Sequence, residues 1–299
     1  MVEKKPNFIV IGAMKAATTS LYTYLKQHPE IFMTKVKEPM FFNNFQQENN
    51  YKILGKKRKQ LTTLEEYLTM FKDVKNEKAI GEASPGYIYN PKAPQLIKEH
   101  LSNVKIIAIL RHPTDRAYSN YLHAKRADRE NAATFQEAIE LENKRIEDNW
   151  SPLYHYIEKG HYSVQLKRYY QLFPKENIRV YLFEDVVKNT KETLKDIFNY
   201  LGVDENVEID ISKKSNVSGT PSGLMGWILK KMRYYNLMPK FAISDYLPKF
   251  VVKLIFRSVY KPTKKLDENL RRDITYKYYK EEINTLEKLI RRDLNSWLS

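Results

Sequence analysis

The 299-residue sequence contains no cysteine, which excludes disulfides, thiolate nucleophiles and cysteine-bound zinc. No run of ~18 apolar residues occurs, so no membrane-spanning helix is expected. Met1 to Phe8 leads almost at once into an apolar segment, so no signal peptide is expected. A cytoplasmic location is the expectation. Zinc-finger spacing, RNP-type aromatic motifs, internal repeats and low-complexity tracts are all missing, and nucleic acid is not an expected partner. Acidic residues are scarce: 36 Asp and Glu against 51 Lys and Arg leave a net charge of +15. That bias concentrates anions near the protein and suits an anionic nucleotide, an acidic glycan or an anionic membrane surface. Hydrophobic residues make up 42% of the chain, enough for the core of one large α/β domain spanning residues 1–299.

The most informative stretch is Asn7 to Gln27. Phe8 to Ile11 has the length and β-branched content of a buried strand, Gly12 breaks it, and Ser20 to Leu25 resumes with helical spacing. Lys15, Thr18, Thr19 and Ser20 lie between or at the junction. A strand, a small-residue loop and a helix N-terminus make an anion site, because free backbone N–H groups and the helix dipole converge there. The loop departs from the ATP-binding pattern G-x-x-x-x-G-K-[ST]. Ala17 holds the second glycine position, Thr18 the lysine position, and the lysine has moved upstream to Lys15.

A second buried strand, Val104 to Leu110, delivers Arg111, followed by His112-Pro113-Thr114-Asp115-Arg116 and, eight residues on from Arg111, Ser119. Ligands in open α/β sheets bind beyond the carboxyl ends of strands. There an Arg offers a bidentate fork to a phosphate and a Ser hydroxyl completes its shell. Together, the Lys-x-x-Thr-Thr-Ser loop and the strand-R-x-P-x-x-R-x-x-S pattern resemble the sulfotransferases that use 3′-phosphoadenosine 5′-phosphosulfate (PAPS), in particular the heparan-sulfate and bacterial carbohydrate branch.

That resemblance implies a P-loop-NTPase-like sulfotransferase fold and PAPS as co-substrate. It assigns Lys15, Ala16, Ala17, Thr18, Thr19 and Ser20 to the 5′-phosphosulfate loop, Arg111 and Ser119 to the 3′-phosphate, and Lys264 to a basic loop over the nucleotide. In Lys35-Val36-Lys37-Glu38-Pro39-Met40-Phe41-Phe42 it gives Glu38 the role of base opposite Lys15. His112, His155 and His161 are the next candidates for that role. The turn Glu82-Ala83-Ser84-Pro85-Gly86-Tyr87 matches one the family places beside the acceptor. Ala83 stands where animal glycan sulfotransferases often carry a lysine. The implied acceptor is a hydroxyl or amine of a glycan, glycolipid or small alcohol, and with Lys15 supplying the positive charge no metal is expected.

Strands at Phe8–Ile11, Lys78–Gly81, Lys105–Leu110 and Ile178–Phe183, separated by helical stretches, read as a parallel sheet flanked by helices. A helix is expected over Leu61 to Phe71, another opening at Gly160-His161-Tyr162, and a last one over Leu266 to Leu298; Pro29 is expected to end the first. Two other functions use parts of the same pattern. A P-loop kinase or ATPase would share the loop but lacks the Walker lysine, and a non-catalytic binder of anionic polymers would use the charge while leaving Lys15 and Glu38 idle. Residues 223–262 stand apart, with eight Lys or Arg against the single acid Asp245. Leu224, Trp227, Ile228, Met232 and Tyr235 share one helical face, and Lys249, Lys253, Arg257 and Lys261 form a four-residue stripe. A basic amphipathic insertion bordering the acceptor site, as a lid, a glycan groove or a peripheral contact with an anionic membrane, is the expectation.

Overall fold

The computed structural model describes residues 4–46, 50–55, 60–101, 103–212, 219–221, 260–262 and 265–299. The chain enters β1 (Phe8–Gly12) and crosses through α1 (Thr18–Leu25) to the short β2 (Ile31–Met33). Small helices α2 (Phe41–Asn44) and α3 (Leu64–Leu68) precede β3 (Ala79–Ala83). Then follow α4 (Ala93–His100), β4 (Lys105–Leu110) and the long α5 (Pro113–Arg126). Next come α6 (Phe135–Glu140), α7 (Glu142–Glu147), α8 (Tyr162–Leu172), β5 (Ile178–Leu182), α9 (Phe183–Lys188) and α10 (Thr190–Leu201). The short strands β6 (Gly219–Pro221) and β7 (Tyr260–Pro262) come before the C-terminal α11 (Glu268–Ile290).

Strands β1 to β5 form one parallel sheet in the order β2-β3-β1-β4-β5. Every residue of β1 is buried, as expected of a parallel strand covered on both faces. All four expected strands are present. The edge strand β2 was not foreseen, since three residues carry too little periodicity to register.

Several boundaries differ from the sequence expectation. The first helix closes at Leu25, capped by Lys26, so Pro29 lies in the turn beyond it and does not end it. The helix expected over Leu61–Phe71 starts at Leu64, because the Thr63 side chain caps the N–H of Glu66, and tightens into a 3₁₀ turn over Thr69–Phe71. The last helix stops at Ile290, where Arg291 turns left-handed; Leu294 and Trp297 then fold back into the core.

That last helix is pinned to α5 and α8. Thr275 and Thr114 of α5 share a hydroxyl contact of 2.8 Å, Arg271 pairs with Asp115 at 3.1 Å, and Glu282 accepts both the N–H and hydroxyl of Ser163 at the start of α8. Strands β6 and β7 pair antiparallel, Gly219 opposite Pro262 and Pro221 opposite Tyr260. The two ends of the basic insertion are thereby neighbours. Of residues 223–262, the helices expected there lie outside the described residues, as does Lys264.

Candidate active site

Four neighbouring strands each hand a candidate residue to the same edge. Beyond β2 the chain reaches Glu38, beyond β3 Ser84, beyond β1 Lys15, and beyond β4 Arg111. The crevice over the carboxyl ends of a parallel sheet is where such groups can converge.

The loop after β1 is tightly drawn. Ala13 N–H donates to the Ile109 carbonyl of β4 at 2.7 Å, and Ala16 N–H folds back on Ala13 at 3.2 Å. A Cβ at Gly12 would stand 2.4 Å from the Ile88 side chain, so only glycine fits where the strand passes under that residue. Lys15 and Ala17 both have positive φ, 70° and 61°. Ala17 is the N-cap of α1, with no side-chain cap, and the first turn holds no acid. The helix therefore presents its dipole and leading N–H groups to the loop, as an anion site requires. Thr18 is buried, whereas Thr19 and Ser20 are half-buried in the same turn.

Arg111 joins the two expected anion sites physically. Its Nη1 donates to the Lys15 carbonyl at 3.1 Å, its guanidinium lies 4.7 Å over the Phe183 ring, and the Tyr162 hydroxyl donates to its own carbonyl at 2.9 Å. One of its five N–H groups is thus committed to the loop. Ser119 sits half-buried on α5, about 9 Å along the axis from the helix start at Pro113.

The surroundings of Lys15 disfavour its charged form. Burial, followed by the cations Arg126 and Arg111, lowers its ammonium from the ordinary lysine range to about 8, while Glu38 pulls the other way. Glu38 has φ 57° and forms an ion pair with the adjacent Lys37. Lys15 and Glu38 are therefore electrostatic neighbours.

Two side chains of this cluster were not identified from sequence. His123 lies exposed on α5, and desolvation, then Lys15 and Arg126, push its imidazole below the usual range. His123 and Arg126 follow Ser119 at four and seven residues, one continuous face of α5, and that spacing was the available signal. The reserve bases fare differently. His112 and His155 are buried, held down to about 4 mainly by burial, and bonded to the Trp297 carbonyl and the Tyr89 hydroxyl, each at 2.8 Å. His161 lies 3.9 Å from Glu158 at the start of α8. Ala83 is fully buried in the core. Among the described residues, no cluster of three or more His, Asp or Glu could hold a metal ion.

Comparison with known proteins follows the same lines. Residues 5–261 match the family model described as Sulfotransferase domain. The membrane-associated sulfotransferase kil1 of Dictyostelium discoideum is 41% identical over 116 residues, 39% of this chain and 22% of that protein. The bifunctional heparan sulfate N-deacetylase/N-sulfotransferase 4 of Mus musculus is 28% identical over 208 residues, 66% of this chain and 22% of that protein. The chain thus spans about a fifth of the length of these two relatives. The crystal structure of a sulfotransferase from Alicyclobacillus acidocaldarius superimposes with a TM-score of 0.78 at 28% identity, covering 99% of this chain and 100% of that one.

Proposed function

The chain belongs to the sulfotransferase domain family, and from that premise we propose that it moves a sulfuryl group from PAPS to a hydroxyl or amine of a glycan or glycolipid. The observation that carries this reading is the bond from Arg111 to the Lys15 carbonyl, which ties together the two elements proposed to bind the phosphates. A donor with phosphate groups at both its 3′ and 5′ ends fits such an arrangement; a simple 5′-nucleotide would leave Arg111 without its partner.

In this mechanism the N–H groups at the start of α1, with Thr18, Thr19 and Ser20, hold the 5′-phosphate, and Arg111 with Ser119 holds the 3′-phosphate. Glu38 accepts the proton of the acceptor as its oxygen or nitrogen forms a bond to sulfur. The bond between sulfur and the bridging oxygen breaks, and its electron pair leaves with adenosine 3′,5′-bisphosphate. Lys15 donates a hydrogen bond to that oxygen as charge develops, the place where a preorganised donor has most effect. Since an ammonium supplies this charge, transfer is expected to proceed without a metal. A glycan acceptor is favoured by the heparan sulfate relative and by the +15 net charge. The unit is proposed to be one domain, with residues 223–262 bordering the acceptor.

A radiolabelled donor screened against glycans, glycolipids and small alcohols, with and without EDTA, tests the reading. Transfer unaffected by EDTA, with adenosine 3′,5′-bisphosphate binding far more tightly than magnesium-ATP, is the expected result. Preferential binding of magnesium-ATP with no labelled product would overturn it.

A further inference from the structure

Glu82 is fully buried at the end of β3, the strand between those that lead to Lys15 and Glu38. Its Oε1 accepts from the Tyr67 hydroxyl at 3.2 Å and its Oε2 from the Ser84 hydroxyl at 2.7 Å. The Tyr87 hydroxyl stands beside the same carboxylate. Ser84 Oγ in turn accepts the Met40 N–H at 3.0 Å, and Tyr87 Oη accepts the Phe42 N–H at 3.3 Å. A serine hydroxyl has one proton; when Glu82 takes it, the Ser84 lone pairs are left facing Met40. Two backbone donors just beyond Glu38 are thus held by hydroxyls that gather around one buried carboxylate.

The segment so held is a strained one. Glu38 and Met40, on either side of Pro39, both have positive φ, 57° and 56°. Neither side chain favours that conformation, so surrounding contacts must impose it. The Pro85-Gly86 turn lies so close that a Cβ on Gly86 would stand 2.4 Å from Met40 Cε. The β3 turn is therefore moulded against the turn that carries Glu38.

We propose that Glu82, acting through Ser84 and Tyr87, is a positioning residue that fixes the Glu38-Pro39-Met40 turn for proton abstraction. This rests on the reading of Glu38 as the base. It adds a role for a carboxylate that touches neither nucleotide nor acceptor.

The test is a double-mutant cycle of Ser84→Ala with Glu38→Gln, with Ser84→Thr as the conservative control and Glu82→Gln as a second route to the same link. Ser84→Ala is expected to lower kcat by about 10- to 100-fold, since small misplacement of a reacting group has effects of that order. Affinity for adenosine 3′,5′-bisphosphate should stay within about twofold, and the threonine variant, which keeps the hydroxyl, should recover most of the rate. In a Glu38→Gln background, Ser84→Ala should change kcat by less than about threefold, because a base already removed cannot be misplaced. Losses that multiply, or a Ser84→Ala enzyme with wild-type kcat, would overturn the positioning role while leaving the base in place. Wild-type turnover by Glu38→Gln alone would overturn the base assignment and this proposal with it. If Ser84→Ala fails to fold, the Glu82→Gln cycle is decided by the same outcomes.

Discussion

The Arg111 guanidinium holds the Lys15 carbonyl at 3.1 Å, across the boundary between β4 and the loop after β1. A residue expected to recognise one phosphate of the donor also shapes the loop that meets the other. Its removal should therefore be felt at both ends of the nucleotide. Arg111→Ala is expected to weaken adenosine 3′,5′-bisphosphate by about 10- to 100-fold, the size of a lost hydrogen bond to a charged group. 5′-AMP, which lacks the 3′-phosphate, should lose much less, and calorimetry on the two ligands gives the comparison. Equal losses would mean that Arg111 serves only the loop.

Lys15→Ala should reduce transfer by on the order of 100-fold or more while the bisphosphate product still binds, because the lysine acts on charge that appears as the bond breaks. Single-turnover assays with labelled donor, paired with product binding, measure both halves. Activity within a few-fold of wild type would remove Lys15 from the chemistry.

The lowered Lys15 ammonium predicts an alkaline limit. Its protonated form is the donor, so the competent free enzyme is lost as pH rises through about 8. kcat/KM for PAPS should fall about tenfold per unit above that point. Bound phosphosulfate favours the charged lysine, so the matching limb in kcat should lie at higher pH. Lys15→Arg, which stays charged throughout, should lose the limb even if its plateau is lower. A wild-type profile flat beyond pH 9 would contradict the assignment.

Glu38→Gln keeps the side-chain shape and removes the base. A fall in kcat of roughly 100-fold or more, with unchanged affinity for the bisphosphate, is the expected pattern. Should turnover survive, His123, the histidine of this cluster that responds to both Lys15 and Glu38, is the next residue to change.

The basic insertion yields a prediction from sequence alone. If residues 249–261 meet an anionic membrane, the protein should co-sediment with anionic but not neutral vesicles at low salt and be largely released at ~0.15 M salt. Lys249→Ala/Lys253→Ala/Arg257→Ala should abolish that binding. Failure to bind anionic vesicles would leave the insertion as a lid or glycan groove.

The strands that lead to the loop of Lys15 and to Arg111 were legible because each is an apolar run that stops abruptly. Lys15 and Glu38 were legible as separate motifs. That they share one electrostatic environment depends on β2, a strand too short to announce itself, being parallel to β3. Glu82 was visible only as part of a turn, since a carboxylate's partners from α3 and from the β3 turn cannot be inferred from spacing. Helix ends were misplaced where a side-chain cap or a left-handed residue, rather than proline, set the boundary, as at Thr63 and Arg291.

The placement of Glu38, Ser84, Lys15 and Arg111 after four separate parallel strands bears on how the protein folds. Each strand joins the sheet only through a crossover, so its pairings close long loops and form late and together. No fragment of the sheet can then assemble the proposed nucleotide site ahead of the rest. Under the proposed function, a ligand that recognises only the finished edge stabilises the whole fold: at 100 times its Kd, adenosine 3′,5′-bisphosphate would add about 2.7 kcal/mol to the free energy of unfolding. In that reading, occupancy of the site by nucleotide would protect every strand of the sheet at once.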